Sequence, residues 1–143
     1  FGAKVIYYSA SGAPVQEGYE QVDFETLLTQ SDIISVHAPL NEHTEGLINS
    51  KAFEKMKSSC IFLNLGRGPI VDEQALYNAL VRNQIAAAGL DVLCEEPMSA
   101  DNPLLKIKDS KRLLITPHIA WASVEARTHL MEIIHGQVKD FFA

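Results

Sequence analysis

Asn64-Leu65-Gly66-Arg67-Gly68-Pro69-Ile70-Val71-Asp72 is the stretch on which the fold turns. The apolar run Cys60-Ile61-Phe62-Leu63 enters it and the helical pattern Glu73-Gln74-Ala75-Leu76 leaves it, which predicts strand, tight glycine turn, helix. Glycine accepts backbone angles that other residues resist and lets a ligand approach the main chain. In open α/β sheets, ligands bind outside the carboxyl ends of the strands. Arg67 stands at such an end, between two glycines. Its forked, permanently charged donor is suited to a carboxylate or an α-keto acid. Taken alone, the segment reads equally well as a surface arginine in a mobile turn.

The same alternation continues on both sides. Upstream, Lys4 to Ser9 is β-branched and aromatic and meets the turn Ser11-Gly12-Ala13-Pro14, which predicts a strand. Tyr19 to Val22 is a second, short candidate. Asp23 is placed to cap a helix from Phe24 to Gln30. Asp32 to His37 reads as a strand stopped by Pro39, and Ser50 as the cap of a short helix carrying Phe53 and Met56. Downstream, Asp72 caps a helix to about Arg82, and Ile85 to Val92 is a strand of small residues. An irregular stretch, Leu93 to Lys111, precedes a strand from Leu113 to Thr116. Ser123 caps a last helix in which Met131, Ile134, Val138 and Phe141 recur at helical spacing. Strands that are nearly continuous apolar runs, alternating with helices, predict an α/β fold with a doubly wound parallel sheet covered on both faces. A closed eight-stranded α/β barrel needs about 250 residues, so the sheet is expected to be open.

Composition narrows the function. The chain has 143 residues, 47% hydrophobic and 21% charged, enough for one sizeable core. Net charge is −6 with no lysine/arginine cluster, which argues against nucleic acid as a partner. Cys60 and Cys94 sit in or beside apolar runs and read as buried, reduced thiols of a cytoplasmic protein. No apolar run reaches the ~18 residues of a membrane span. No signal peptide is recognisable. His43, His129 and His135 form no metal-ligand grouping, so no metal site is expected.

Four polar features stand at predicted strand ends: His37, Arg67, Asp91 with Glu96 shortly after, and His118. Parallel strands bring their carboxyl ends to one edge, so these groups are expected to converge. Arginine, carboxylate and histidine together suit a reaction at a carbonyl beside a carboxylate, with the histidine exchanging the carbonyl proton. Each residue also has a plain structural reading: a histidine after a strand, a turn-capping aspartate, a solvated glutamate, a satisfied core histidine. Their joint placement on one edge favours the chemical reading.

The order of four motifs resembles the nucleotide-binding domain of the D-2-hydroxyacid dehydrogenase family, a Rossmann-type fold. They are Ser35 to Leu40 with Thr44, Asn64 to Gly68 with Val71-Asp72, Gly89 to Val92 with Glu96-Pro97, and Thr116 to Ala120. Ala120 to Ser123, followed by Glu125 to Arg127, is most similar to the glycerate dehydrogenase (hydroxypyruvate reductase) branch. The resemblance implies that Arg67 binds substrate, that His118 is the acid/base and that Glu96 is its partner. It implies a cofactor site at Ser9, His37, Ala38, Pro39, Thr44, Leu65, Gly66, Asp91 and Ala120, with Asp91 meeting the nicotinamide carboxamide. The implied cofactor is NAD or NADP. Ser9 stands where NAD-preferring members carry an aspartate, yet no arginine or lysine lies between Ala10 and Gln16 to attract a 2′-phosphate, and NAD is preferred.

The resemblance also implies what is missing. The glycine-rich loop, its strand and helix, and the substrate domain are not in this sequence, so residues 1–143 are expected to be a partial NAD(P)-binding domain. The sheet is expected to be interrupted beside the Lys4–Ser9 strand. The implied parent is a cytoplasmic, homodimeric enzyme acting on a small 2-keto or 2-hydroxy acid, with hydroxypyruvate/glycerate as first expectation and Met98 to Lys111 and the last helix as candidate contacts. Two alternatives stand beside it: a non-enzymatic interaction module of the corepressor type, and an isolated fragment without activity.

Overall fold

A computed structural model describes residues 2–13 and 18–142. Among these described residues six strands and four α-helices follow one another: β1 Ile6–Tyr7, β2 Glu20–Gln21, α1 Phe24–Gln30, β3 Ile33–Val36, α2 Ser50–Lys55, β4 Ile61–Asn64, α3 Glu73–Val81, β5 Ala87–Leu90, β6 Leu113–Ile115 and α4 Val124–Phe141. Short 3-10 turns lie at Gly68–Ile70 and Pro103–Lys106. Pro14, the last residue of the predicted turn after β1, lies outside the described residues, as do residues 15–17.

The strands form two parallel sheets. One pairs β1 with β2; the other runs β3-β4-β5-β6. Among the described residues β1 pairs only with β2 and β3 only with β4, so the strands fall into two sheets rather than one continuous sheet. This is the parallel, Rossmann-like α/β fold predicted. β1 is shorter than the Lys4–Ser9 run, because a strand extends only where a neighbour receives its hydrogen bonds.

Period-two alternation sets the core. Ile34 and Val36 of β3, Phe62 and Asn64 of β4, and Ala88 and Leu90 of β5 are buried. They meet Leu28 of α1, Ala52 and Phe53 of α2, and Leu76, Ala79 and Leu80 of α3. Phe53 and Phe62 cross edge to face at 5.4 Å. The opposite face carries Ile33, Ile61 and Leu114, 60%, 41% and 61% exposed. Among the described residues, cover is therefore found on one face of this sheet, where two were expected: α1, α2 and α3 pack side by side on one side, and α4 buries none of its residues.

The caps agree with the chain's chemistry, with one correction. Asp23, Asp72 and Ser123 accept the N–H of Thr26, Ala75 and Ala126. At α2 the cap is Asn49, not Ser50. Its side chain accepts from Lys51 and Ala52, and Ser50 is the first helical residue.

Candidate active site

Register places the predicted residues on one edge. Val36, Asn64 and Leu90 stand level across β3, β4 and β5, and Ile115 of β6 pairs with Leu90. The ladder runs one step further: Leu65 N–H bonds Val36 O, Asp91 N–H bonds Asn64 O, and Thr116 N–H bonds Leu90 O. The chain leaves all four strands at this level.

At the β3–β4 end lies an open cleft of about 480 Å³ lined by His37, Ala38, Pro39, Leu40, Leu65, Gly66 and Arg67. Asn64 braces the turn beneath it. It is buried, its Oδ1 accepts the N–H of Gly66 at 3.1 Å, and its Nδ2 donates to Arg67 O at 3.0 Å. Gly66 runs so close to the β3 turn that a Cβ there would stand 3.0 Å from Ala38 O. Arg67 is extended and solvent-facing, with one guanidinium nitrogen donating to Gly66 O at 2.8 Å. The ring of His37 is hydrogen-bonded to Ser35 Oγ at 2.8 Å.

Thr44 does not line the cleft. Its buried hydroxyl donates to Pro39 O at 2.6 Å and accepts from Asn41 N–H, so it shapes the turn from behind. Ser9 is buried two residues beyond β1, a strand of the separate two-stranded sheet, and its hydroxyl meets Ser11 Oγ at 3.1 Å.

A second cluster gathers at the β5–β6 end. His118 Nδ1 lies 2.9 Å from Glu96 Oε2, and Glu96 Oε1 accepts Leu93 N–H at 2.9 Å. Glu96 is held below the usual carboxylate range, first by that N–H and then by the histidine. The two side chains are 41% and 39% exposed. His118 adopts φ +56°, a left-handed conformation that histidine enters more readily than most residues. Asp91 secures the loop that demands it. One carboxylate oxygen accepts from Thr116 Oγ1 and Ile119 N–H, and the other accepts Ala120 N–H at 2.8 Å. Burial alone would push the Asp91 carboxyl up. These three donors, with the neighbouring histidine, outweigh burial and hold it below its ordinary value. Trp121 Nε1 closes the turn on His118 O at 2.9 Å.

The two groups meet through backbone. A Cβ on Gly68 would lie 1.9 Å from Leu93 O and 2.4 Å from Cys94 N, so the turn that follows Arg67 rests directly on the loop that carries Glu96. Sequence reasoning did not single out Asn64, Gly68 or Thr116 as supporting residues. For Asn64 the signal was present: a polar side chain at an inward strand position, two residues after Phe62. Cys60 is buried as expected, but Cys94 is exposed because it sits in the irregular loop after β5. Its part-buried thiol donates weakly to Val71 O and is pushed up to about 11 by desolvation and then by Glu73, which makes it a poor nucleophile.

This arrangement can do specific chemistry. With Nδ1 committed to a carboxylate, Nε2 is the ring nitrogen open to a substrate, and the carboxylate balances an imidazolium. The first cleft suits a flat, partly apolar ring: its wall is Pro39, Leu40 and Leu65, and its floor is main chain at Gly66.

Comparison with known proteins points the same way. Residues 1–120 match the family described as D-isomer specific 2-hydroxyacid dehydrogenase, NAD binding domain. A hydroxypyruvate reductase of Blautia hydrogenotrophica is 44% identical over 142 residues, covering 98% of this chain and 43% of that protein. A glycerate dehydrogenase of Methylorubrum extorquens is 44% identical over 122 residues, 85% of this chain and 38% of that one. Among solved structures, an acyclic imino acid reductase in complex with NADPH and D-Arg superposes with a TM-score of 0.86 at 37% identity, over 97% of this chain and 43% of that one. The crystal structure of D-lactate dehydrogenase with NAD+ from Lactobacillus jensenii gives 0.80 at 37% identity, over 92% and 43%. The chain spans less than half the length of these relatives. A match that runs through both the cleft and the clamped histidine shows the family: this chain belongs to the D-isomer specific 2-hydroxyacid dehydrogenases, as their NAD binding domain.

Proposed function

We infer that this chain is the nucleotide-binding half of an NAD- or NADP-dependent oxidoreductase that interconverts a small 2-keto acid and its D-2-hydroxy acid. Hydroxypyruvate and glycerate are the first candidates, in keeping with the hydroxypyruvate reductase and glycerate dehydrogenase among its relatives. The observation that carries the reading is the His118–Glu96 pair at 2.9 Å on the same sheet edge as Arg67.

A bound nicotinamide would supply or accept the hydride; every other task falls to side chains. Arg67 binds the substrate carboxylate with its fork and polarises the adjacent carbonyl. His118 Nε2 donates the proton to the carbonyl oxygen in reduction and takes it back in oxidation. Glu96 keeps the ring oriented and balances its charge. His37, Ala38, Pro39, Leu65 and Gly66 form the wall and floor against which the cofactor lies. Asp91 and Ala120 serve it from the other side, Asp91 chiefly by fixing the Thr116–Ala120 loop. Thr44 supports the site through Pro39. Ser9 is the candidate neighbour of the adenosine ribose, and NAD is preferred because no lysine or arginine lies between Ala10 and Gln16.

The remaining length of the relatives is proposed to supply the glycine-rich loop and the substrate domain, in a cytoplasmic homodimer. α4, with no buried residue, is a candidate contact in that dimer. No helix is long and apolar enough to cross a membrane among the described residues. The test is direct. Purified full-length protein is mixed with NADH or NADPH and hydroxypyruvate, glyoxylate or pyruvate, and loss of reduced nicotinamide absorbance is followed. Turnover of at least one keto acid is expected. No oxidation of either cofactor with any of them contradicts the proposal.

A further inference from the structure

The segment from Asp91 to Asn102 has no regular secondary structure, yet it carries Glu96. A loop of this kind holds a side chain in place only where the loop itself is tied down. Glu73 makes the tie. As the first residue of α3, it reaches across with both carboxylate oxygens: Oε1 accepts Cys94 N–H at 2.8 Å, and Oε2 accepts Asn102 Nδ2 at 2.7 Å. Asn102 is itself buried, and its Oδ1 accepts Leu104 N–H to start the 3-10 turn. One carboxylate thus grips both ends of the Cys94–Asn102 segment. The first grip lies two residues before Glu96. Hydrogen bonds to an ionised carboxylate are the stronger kind, and a negative charge in a helix's first turn is favoured. Gly68 completes the frame by seating the Arg67 turn on the Leu93–Cys94 peptide.

We propose that Glu73 is a positioning residue for catalysis: by gripping Cys94 N–H and Asn102 Nδ2, it fixes the loop that presents Glu96 to His118. It touches neither residue and does not line the cleft. The proposal rests on the acid/base reading of His118 and Glu96, and its test separates the two. In the full-length protein, kcat and KM for keto-acid reduction are measured for Glu73→Ala, Glu73→Gln, Glu96→Gln and the double variant Glu73→Gln/Glu96→Gln, with melting temperatures alongside. Glutamine keeps an acceptor for Cys94 N–H but turns a donor toward the Asn102 amide, so one grip is lost while the helix start is kept.

Misplacing a catalytic group by about 1 Å costs up to ~100-fold in rate, and losing one of two grips is expected to lower kcat on the order of tenfold with KM little changed. The double variant should fall no further than Glu96→Gln alone, because a positioning residue acts only through the group it positions. Wild-type kcat in a folded Glu73 variant, even one with a lowered melting temperature, makes Glu73 a purely structural staple and overturns the proposal. So do losses that multiply in the double variant. If Glu96→Gln itself leaves kcat unchanged, the acid/base reading fails and the role of Glu73 goes with it. Should Glu73→Ala not fold, Glu73→Gln decides.

Discussion

Replacing Gly68 by alanine should separate the two halves of the site. Gly68 has no positive φ, so alanine brings no backbone strain of its own, and the whole effect comes from one methyl group. That methyl carbon would stand 1.9 Å from Leu93 O, 2.0 Å from Leu93 C and 2.4 Å from Cys94 N, where ordinary contact begins at 3.4 Å. All three are main-chain atoms, which cannot swing aside as a side-chain tip can. The turn and the loop must part by about 1.5 Å, a displacement large enough for a loss of up to ~100-fold in rate. Overpacking a filled site costs about 1–3 kcal/mol. At about 3–4 °C per kcal/mol for a domain of this size, the melting temperature should fall by roughly 3–12 °C. The assay pairs thermal unfolding of this chain with kcat/KM of the full-length protein. Gly136→Ala is the control: it lies inside α4, a Cβ there meets nothing within 4 Å, and exchanging glycine for alanine in a helix should gain about 0.5–1 kcal/mol. If Gly68→Ala melts with the wild-type chain and keeps its kcat/KM, the Leu93–Cys94 loop is soft, and the claim that it seats the Arg67 turn on the segment carrying Glu96 is refuted.

Two further outcomes are expected. Because the Asp91 carboxyl lies below its ordinary 3.8 when folded, the stability it gives is fully present above about pH 4 and is lost as pH falls through the lowered value. The melting deficit of Asp91→Asn against wild type should therefore be constant from neutral pH to about 4 and narrow below it; a deficit that narrows toward alkaline pH contradicts the assignment. Arg67→Lys in the full-length protein keeps the charge and loses the fork, so KM for the keto acid should rise at least tenfold, about 1.4 kcal/mol, while cofactor affinity holds. An unchanged KM removes Arg67 from the substrate.

The fold was legible where local signals agree. Around Arg67 the apolar run Cys60–Leu63, the glycines and the Asp72 cap all specify strand, turn and helix. At α2 two good caps stand side by side, and only the hydrogen bonds to Lys51 and Ala52 select Asn49 over Ser50. The bare sheet face was not legible, since an apolar strand reads the same whether one face or both are covered. Motifs pointed to Arg67, Glu96 and His118 because their residue types state their chemistry. Their supports were hidden because no periodicity links positions so far apart: Glu73 and Cys94 are 21 residues apart, Glu73 and Asn102 29, and Asp91 and Ala120 29. Thr44 and Asp91 were expected at the cofactor. Both also brace the chain itself: Thr44 bonds Pro39 O, and Asp91 clamps the Thr116–Ala120 loop.

The central claim is that His118 moves the proton in a hydride-transfer reaction, and His118→Asn tests it most directly. Asparagine tolerates φ +56° as histidine does, so the turn held by Asp91 and Trp121 should survive the change. Turnover of the preferred keto acid by full-length His118→Asn is measured beside the affinity for reduced cofactor. Loss of general acid–base catalysis should lower kcat by about 10²–10⁴-fold with cofactor affinity unchanged. Turnover at the wild-type rate would contradict the account.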